Sequence, residues 1–271
     1  MEHSSLSLAG ARVRQIGRVN WRGLRTLYKK EERRFLNVFT QTLLAPMVTT
    51  LLFLAIFTLA LGGGGREVGS VPFASFLAPG LIMMAMVQNA FANTSSSLVI
   101  AKVQGNIVDI LMPPLSPAEL TLGIAAGGMT RGVAVGLAVG LGMCLFVPVT
   151  LHNPLFIVYH GVMASLMLSL LGMIGGIWSE KFDHIAAVTN FVITPFSFLS
   201  GTFYSIQRLP ETWQIVAHFN PFFYMIDGFR YGFIGHADGN LALGLAVMAG
   251  FNLFLWAVTY RMFATGYRLK A

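Results

Sequence analysis

Residues 39–61 read FTQTLLAPMVTTLLFLAIFTLAL, an apolar run without a single Asp, Glu, Lys or Arg. Wound as an α-helix at ~1.5 Å per residue, about 20 such residues cross the ~30 Å hydrocarbon core of a bilayer. Residues 73–100, 132–150, 155–178, 185–203 and 241–260 meet the same requirement, and as bounded here they too carry no Asp, Glu, Lys or Arg. Hydrocarbon offers the backbone no hydrogen-bond partners, so each run must satisfy its own N–H and C=O groups as a helix. The expected fold is an all-α polytopic membrane protein with six transmembrane helices.

The composition points the same way. Hydrophobic residues make up 55% of the chain and charged residues 11%, against about 25% charged in soluble domains. The mean hydropathy is +0.68. Twelve of the 29 glycines fall inside these apolar runs, where small residues let helices approach closely in lipid. Cys144 is the sole cysteine, which excludes a disulfide framework. The net charge of +7 is concentrated, with nine of the 18 Lys and Arg lying between Arg12 and Arg34. No basic–aromatic platform accompanies them, so no nucleic-acid partner is expected; the charge speaks for topology and anionic membrane lipids.

Lys and Arg in alternate connections set the orientation. Fifteen of the 18 fall on the side of the N-terminus, and Arg66, Arg208 and Arg230 fall on the other. Both termini are therefore expected in the cytoplasm. The organisation expected is a cytoplasmic basic tail and interfacial helix (1–38), a six-helix transmembrane domain (39–262) and a cytoplasmic tail (263–271). Trp21, Leu24, Leu27, Tyr28 and Phe35 recur at near-helical spacing among Arg22, Arg25, Lys29, Lys30 and Arg33, the pattern of an amphipathic helix at a membrane surface. The basic region is too long for a cleavable signal peptide, and the run after it has full bilayer length, so the first helix is expected to be retained.

Between the fifth and sixth runs, residues 204–240 are too apolar for a solvated loop. Phe219, Phe222, Phe223, Tyr224 and Phe229 crowd around Pro221, Asp227 and Arg230. Two charges near the centre make a seventh span costly, so a re-entrant helical hairpin is expected. Asp227 and Arg230, three apart, could pair on one helix face near an outer gate.

Chemistry inside the runs is sparse. Transporters driven by protons or sodium need intramembrane ionisable groups, and these runs offer only groups such as Asn89, Asn93 and Asn190. Asn89, Asn93, Asn190 and, beyond the fifth run, Asn220 are candidate path or gate residues. The histidines are dispersed with no H-E-x-x-H, so no metal site is expected. Glycines 62–65 are followed by Arg66 and Glu67 where a phosphate-binding loop needs Lys and Ser or Thr, so they read as a turn. No enzymatic activity and no cofactor are expected of this chain itself.

One connection stands out. In residues 102–120, KVQGNIVDILMPPLSPAEL, Asn106 can cap a short helix with an apolar edge of Ile107, Ile110 and Leu111. Pro113 and Pro114 end it. Ser116-Pro117-Ala118-Glu119 has the residues of a capping box that restarts a helix. A short, partly apolar helix on the cytoplasmic side suits docking of a partner.

The pattern Gly105…Asp109-Ile110-Leu111…Pro113-Pro114-Leu115-Ser116-Pro117-Ala118-Glu119-Leu120 resembles the permease subunits of ABC-2 type exporters. So do Leu199-Ser200-Gly201-Thr202-Phe203-Tyr204, Leu209-Pro210 and Asn220-Pro221-Phe222-Phe223-Tyr224-Met225-Ile226-Asp227-Gly228-Phe229-Arg230, with the YadH-like and NodJ-like exporters as the nearest group. The chain departs from that pattern at Val103-Gln104, where an Arg-Glu pair is common. The resemblance implies a permease in the bacterial inner membrane that pairs with a second copy and with cytoplasmic ABC ATPase subunits carrying ATP and magnesium. It implies that Gly105, Asn106, Ile107, Asp109, Ile110 and Leu111 form the helix coupled to the ATPase. A cargo that is amphipathic, lipid-like or drug-like is the expectation; a non-transporting membrane scaffold or a lipid-modifying enzyme are the alternatives.

Overall fold

The computed structural model describes residues 17–61, 67–68 and 71–269. Arg12 and Arg14, the glycine run 62–65 with Arg66, and Lys270 with Ala271 lie outside the described residues.

Helix α1 (Trp21–Leu36) opens at Asn20, whose side chain accepts from the Gly23 amide, and ends on Arg33 and Arg34, favourable charges at a helix C-terminus. It buries Leu27, Glu31 and Phe35, a stripe at i, i+4 and i+8, and exposes Trp21 and its basic face. It packs alongside the first half of α5 (Pro117–Met143), which places the amphipathic helix where the sequence indicated.

Among the described residues six helices are long and apolar enough to cross a membrane. The first is a π turn (Thr40–Leu44) running into α2 (Ala45–Leu61), followed by a ladder of two-residue strands, β1 (Glu67–Val68) and β2 (Val71–Pro72). The second is α3 (Phe73–Val103), at 31 residues the longest. The third is α5 (Pro117–Met143) and the fourth α6 (Pro154–Trp178). The fifth is assembled from α7 (Phe182–Val188), a π turn (Thr189–Ile193) and α8 (Thr194–Leu199). The sixth is α11 (Leu241–Thr265). Of its most apolar window, 72% is buried in α3, but only 11% in the first and fifth spans. The molecule is therefore built around α3, clasped by α5 and α6, with the first and fifth spans at the periphery.

Close approach sets this core. A Cβ at Gly172 in α6 would lie 2.5 Å from the Phe91 carbonyl oxygen of α3, so a larger residue would force the helices apart. The Thr94 hydroxyl donates to the Ser169 carbonyl across the same crossing at 2.7 Å. Both π turns just precede a proline, Pro46 and Pro195. Proline lacks an N–H and its ring crowds the carbonyl four residues back, so the helix opens locally to a wider turn.

The third span differs from expectation. It starts at Pro117, not residue 132, and stops at Met143, not 150. The Ser116 capping box forms as anticipated: Ser116 Oγ accepts from the Glu119 amide and Glu119 Oε2 accepts from the Ser116 amide. The helix then runs unbroken past Arg131. Arg131 is among the charges counted in the connections, yet its guanidinium is bonded by Asn89 of α3, which makes the position tolerable inside a helix. Arg131 is therefore a helix-interior residue, and the spans are not free of charge.

Between the fifth and sixth spans lie a 3₁₀ turn (Ile206–Arg208), α9 (Glu211–His218) and α10 (Pro221–Ile234). Asn220 caps α10 through its side chain, Pro221 sits at the first helical position, and Gly235 ends it with φ 69°. At 14 residues α10 is ~21 Å long, too short for a seventh span. The two helices form the expected hairpin, with α10 packed on α3, α6 and α11.

Candidate functional site

The connection from α3 to α5 holds a one-and-a-half-turn helix, α4 (Ile107–Leu111). Gly105 precedes it with φ +75°, a left-handed conformation that favours glycine. The expected cap does not form: Asn106 makes no side-chain capping bond, and its Nδ2 instead donates weakly to Gln104 Oε1 at 3.4 Å. The expected apolar edge also faces the other way. Ile107 and Ile110 are buried and Leu111 half-buried against the protein, holding α4 rigidly on the body of the fold. The outward face consists of Gly105, Asn106 and Asp109 with Val108 (51% exposed) and Met112 (77% exposed). Val108 and Met112 were missed, although their i, i+4 spacing opposite Ile107 and Ile110 carries the signal.

A second feature is a cavity of about 840 Å³ beside α3, walled by the end of α1, the first span and Arg131 of α5. It brings together Asn89 and Asn93, one turn apart on α3, with Gln41, Gln88, Arg34 and Arg131. Arg34 donates from Nη1 to Ser96 Oγ at 3.1 Å and from Nη2 to both Asn93 oxygens. It also pairs with Glu31 at 3.4 Å, and Glu31 in turn accepts from Ser97 Oγ at 2.7 Å. Burial lowers the Arg34 pKa, and Glu31 opposes that shift. Neither arginine was singled out from the sequence: Arg34 reads as one of nine topogenic charges and Arg131 as a loop residue.

Asn190 lies in the second π turn, away from this cavity. Asn220 lies on a separate apolar groove between the fifth span and α9, and its Nδ2 donates to Ser200 Oγ at 2.8 Å.

Asp227 and Arg230 share a face of α10 but form no ion pair within 4 Å, which corrects the expected pairing. Asp227 accepts from the amides of Asp238 at 2.8 Å and Gly239 at 3.0 Å, closing the loop after α10. Burial pushes its carboxyl up, against the pull of those amides and of Arg230. Arg230 donates to the carbonyls of Phe76, Gly201 and Thr202 and lies 3.9 Å over the Phe76 ring. Burial lowers its pKa to about 10. Arg230 thus ties the hairpin to α3 and to the end of the fifth span, and Asp227 ties it to the loop that leads into the sixth.

Comparison with known proteins agrees with this architecture. The model of the ABC-2 type transporter family matches residues 22–234. The chain is 36% identical over 251 residues to the inner membrane transport permease YadH of Escherichia coli K12, covering 93% of this chain and 98% of that one. It is 25% identical to nodulation protein J of Rhizobium leguminosarum bv. viciae, covering 80% and 85% of the two chains. Nodulation protein J of Neorhizobium galegae is 21% identical over 233 residues. With six apolar spans, a short helix on the α3–α5 connection and a family match that reaches from α1 to the end of α10, the chain belongs to the ABC-2 type transporter family as a membrane-embedded permease.

Proposed function

We propose that this permease is the membrane half of an ATP-driven exporter in the bacterial inner membrane, working as a pair of identical chains on two cytoplasmic ABC ATPase subunits that carry ATP and magnesium. The observation that carries the reading is α4: a short helix anchored inward by Ile107 and Ile110 and presenting Val108, Asp109 and Met112 outward. Closure of the ATPases on ATP would press this helix. Because α4 is joined to α3 at one end and to α5 at the other, the push reaches the central helix and one of the two that clasp it directly. The first and fifth spans, peripheral in the single chain, are the surfaces for a second copy. The cavity beside α3 is the entry for an amphipathic cargo. The excess of basic residues on the side of the N-terminus and of α4 supports cytoplasmic termini, and the imbalance survives the removal of Arg131 from the loop count.

Gentle detergent capture of the tagged permease from its native membranes tests this reading. A P-loop ATPase is expected to co-purify in equal amount, and to be lost from the Val108→Glu and Asp109→Lys variants while the permease elutes unchanged on gel filtration. A wild-type preparation without ATPase, or full ATPase retention by both variants, would overturn it.

A further inference from the structure

Four described cations are withdrawn from the surface, Arg230 wholly and Arg34, Lys102 and Arg131 in part, and all but one are matched by several oxygen acceptors. Arg230 meets three carbonyls. Lys102 donates to the carbonyls of Ile177 at 2.7 Å and Ser179 at 2.6 Å, at the end of α6. Arg34 has Glu31, Asn93 and Ser96. Arg131 has only Asn89 Oδ1, at 3.0 Å from Nη2. No described carboxylate lies within ion-pair distance of Arg131, and its Nε is buried without a partner. Arg34 Nε and Asn93 Nδ2, on two other residues that line the cavity, are likewise buried donors without an acceptor. Of the two guanidiniums that line the cavity only Arg34 has a carboxylate, and three buried donors of the lining residues are without an acceptor. An uncompensated charge in such a place is costly, and an anion is the group that relieves it.

The cavity also has an apolar part. Val38 from the turn before the first span, Ala45 and Phe53 from the span itself and Leu81 and Met84 from α3 line it. Val38, Ala45 and Phe53 remain exposed in the chain, so the cavity opens along that span towards the surroundings of the bundle. A charged end continuous with an apolar wall, open at the side, fits a headgroup with its chain attached better than a free ion. Arginine is the side chain whose planar fork of donors binds carboxylate and phosphate in pairs of hydrogen bonds.

We propose that Arg34 and Arg131, with Asn89 and Asn93, form a binding site for the anionic headgroup, phosphate or carboxylate, of an amphiphile whose apolar chain lies along the first span. This rests on the permease reading and narrows the cargo class within it. Arg131 supplies the uncommitted charge, and Arg34 closes the site from α1.

Purified permease in a non-ionic detergent, mixed with phosphatidic acid, phosphatidylcholine of the same chain length, or inorganic phosphate, and read by native mass spectrometry, tests the site. Phosphatidic acid is expected to be retained, and to be bound at least about ten-fold less by Arg131→Gln, the loss expected when charge-assisted hydrogen bonds go. Arg131→Lys, which keeps the charge but loses the fork, is expected to bind more than Arg131→Gln and less than wild type, and so separates loss of the site from loss of the fold. Equal retention of phosphatidylcholine, or of phosphatidic acid by Arg131→Gln, would overturn the proposal. Inorganic phosphate binding as well as phosphatidic acid would also overturn it, by showing a free-anion site. The measurement needs no ATPase: if capture of the ATPase fails while binding holds, the permease reading falls alone, and in the reverse case the headgroup site falls alone.

Discussion

Arg230 and Asp227 show how far residue-level reasoning reaches. Their spacing suggested a pair, but spacing on a helix does not say where side-chain ends go. The guanidinium turns towards three carbonyls on α3 and the end of the fifth span, and the carboxylate towards two amides of the following loop. Arg230→Met would keep much of the bulk and leave those carbonyls without their donor. A loss on the order of 3 kcal/mol is expected, as buried acceptors become unsatisfied. A fall in thermal denaturation midpoint in detergent would register it, and an unchanged midpoint would mean that the carbonyl contacts contribute nothing. At the same scale Asn106 was read as a cap because Asn caps well, whereas its side chain reaches back to Gln104.

At the scale of elements, the two π turns and the seat of α1 make the clearest predictions. In both peripheral spans the wide turn just precedes a proline, and such turns are common at functional sites. Pro46→Ala restores an amide donor and removes the ring that crowds Thr42, so a regular helix through residues 40–50 is expected. Hydrogen exchange of the amides at 40–44 should slow in the variant; equal exchange would show that the turn has another cause. The seat of α1 depends on Gly127, where a Cβ would stand 2.4 Å from the Glu31 Cβ. Gly127→Leu is expected to lift α1 from α5 and to speed tryptic cleavage at Lys29 and Lys30. Wild-type cleavage rates in that variant would argue that α1 does not rest there.

For the whole molecule, the distribution of burial is the informative quantity. The first and fifth spans leave rows of large apolar side chains uncovered, Val48, Leu52, Ile56 and Leu59 on one and Phe191 (81% exposed) and Phe196 on the other. Lipid covers such faces well, but two peripheral spans of one chain are also what a second copy can pack against. Native mass spectrometry of the permease is expected to find two 29.5 kDa chains, and Phe191→Arg to reduce the pair to single chains. A wild-type preparation that is monomeric while holding its ATPase would remove the paired-chain model.

The sequence by itself determined the class, the six spans, the amphipathic helix before them and the hairpin between the last two, because each rests on local quantities: run length against bilayer thickness, periodicity, prolines and caps. It located the short helix of the α3–α5 connection for the same reason. Tertiary structure decided which face of that helix is free, since Ile107 and Ile110 turn inward only because a body lies beneath them. It also decided that Arg131 belongs inside a helix. A charge in a glycine-rich stretch reads as a loop until Asn89 is seen to bond it across 42 residues of sequence. The pairing of Arg34 with Arg131 around one cavity is likewise a product of packing. No local pattern specifies which charges from separate helices share a cavity, because that depends on how α1, α3 and α5 are stacked.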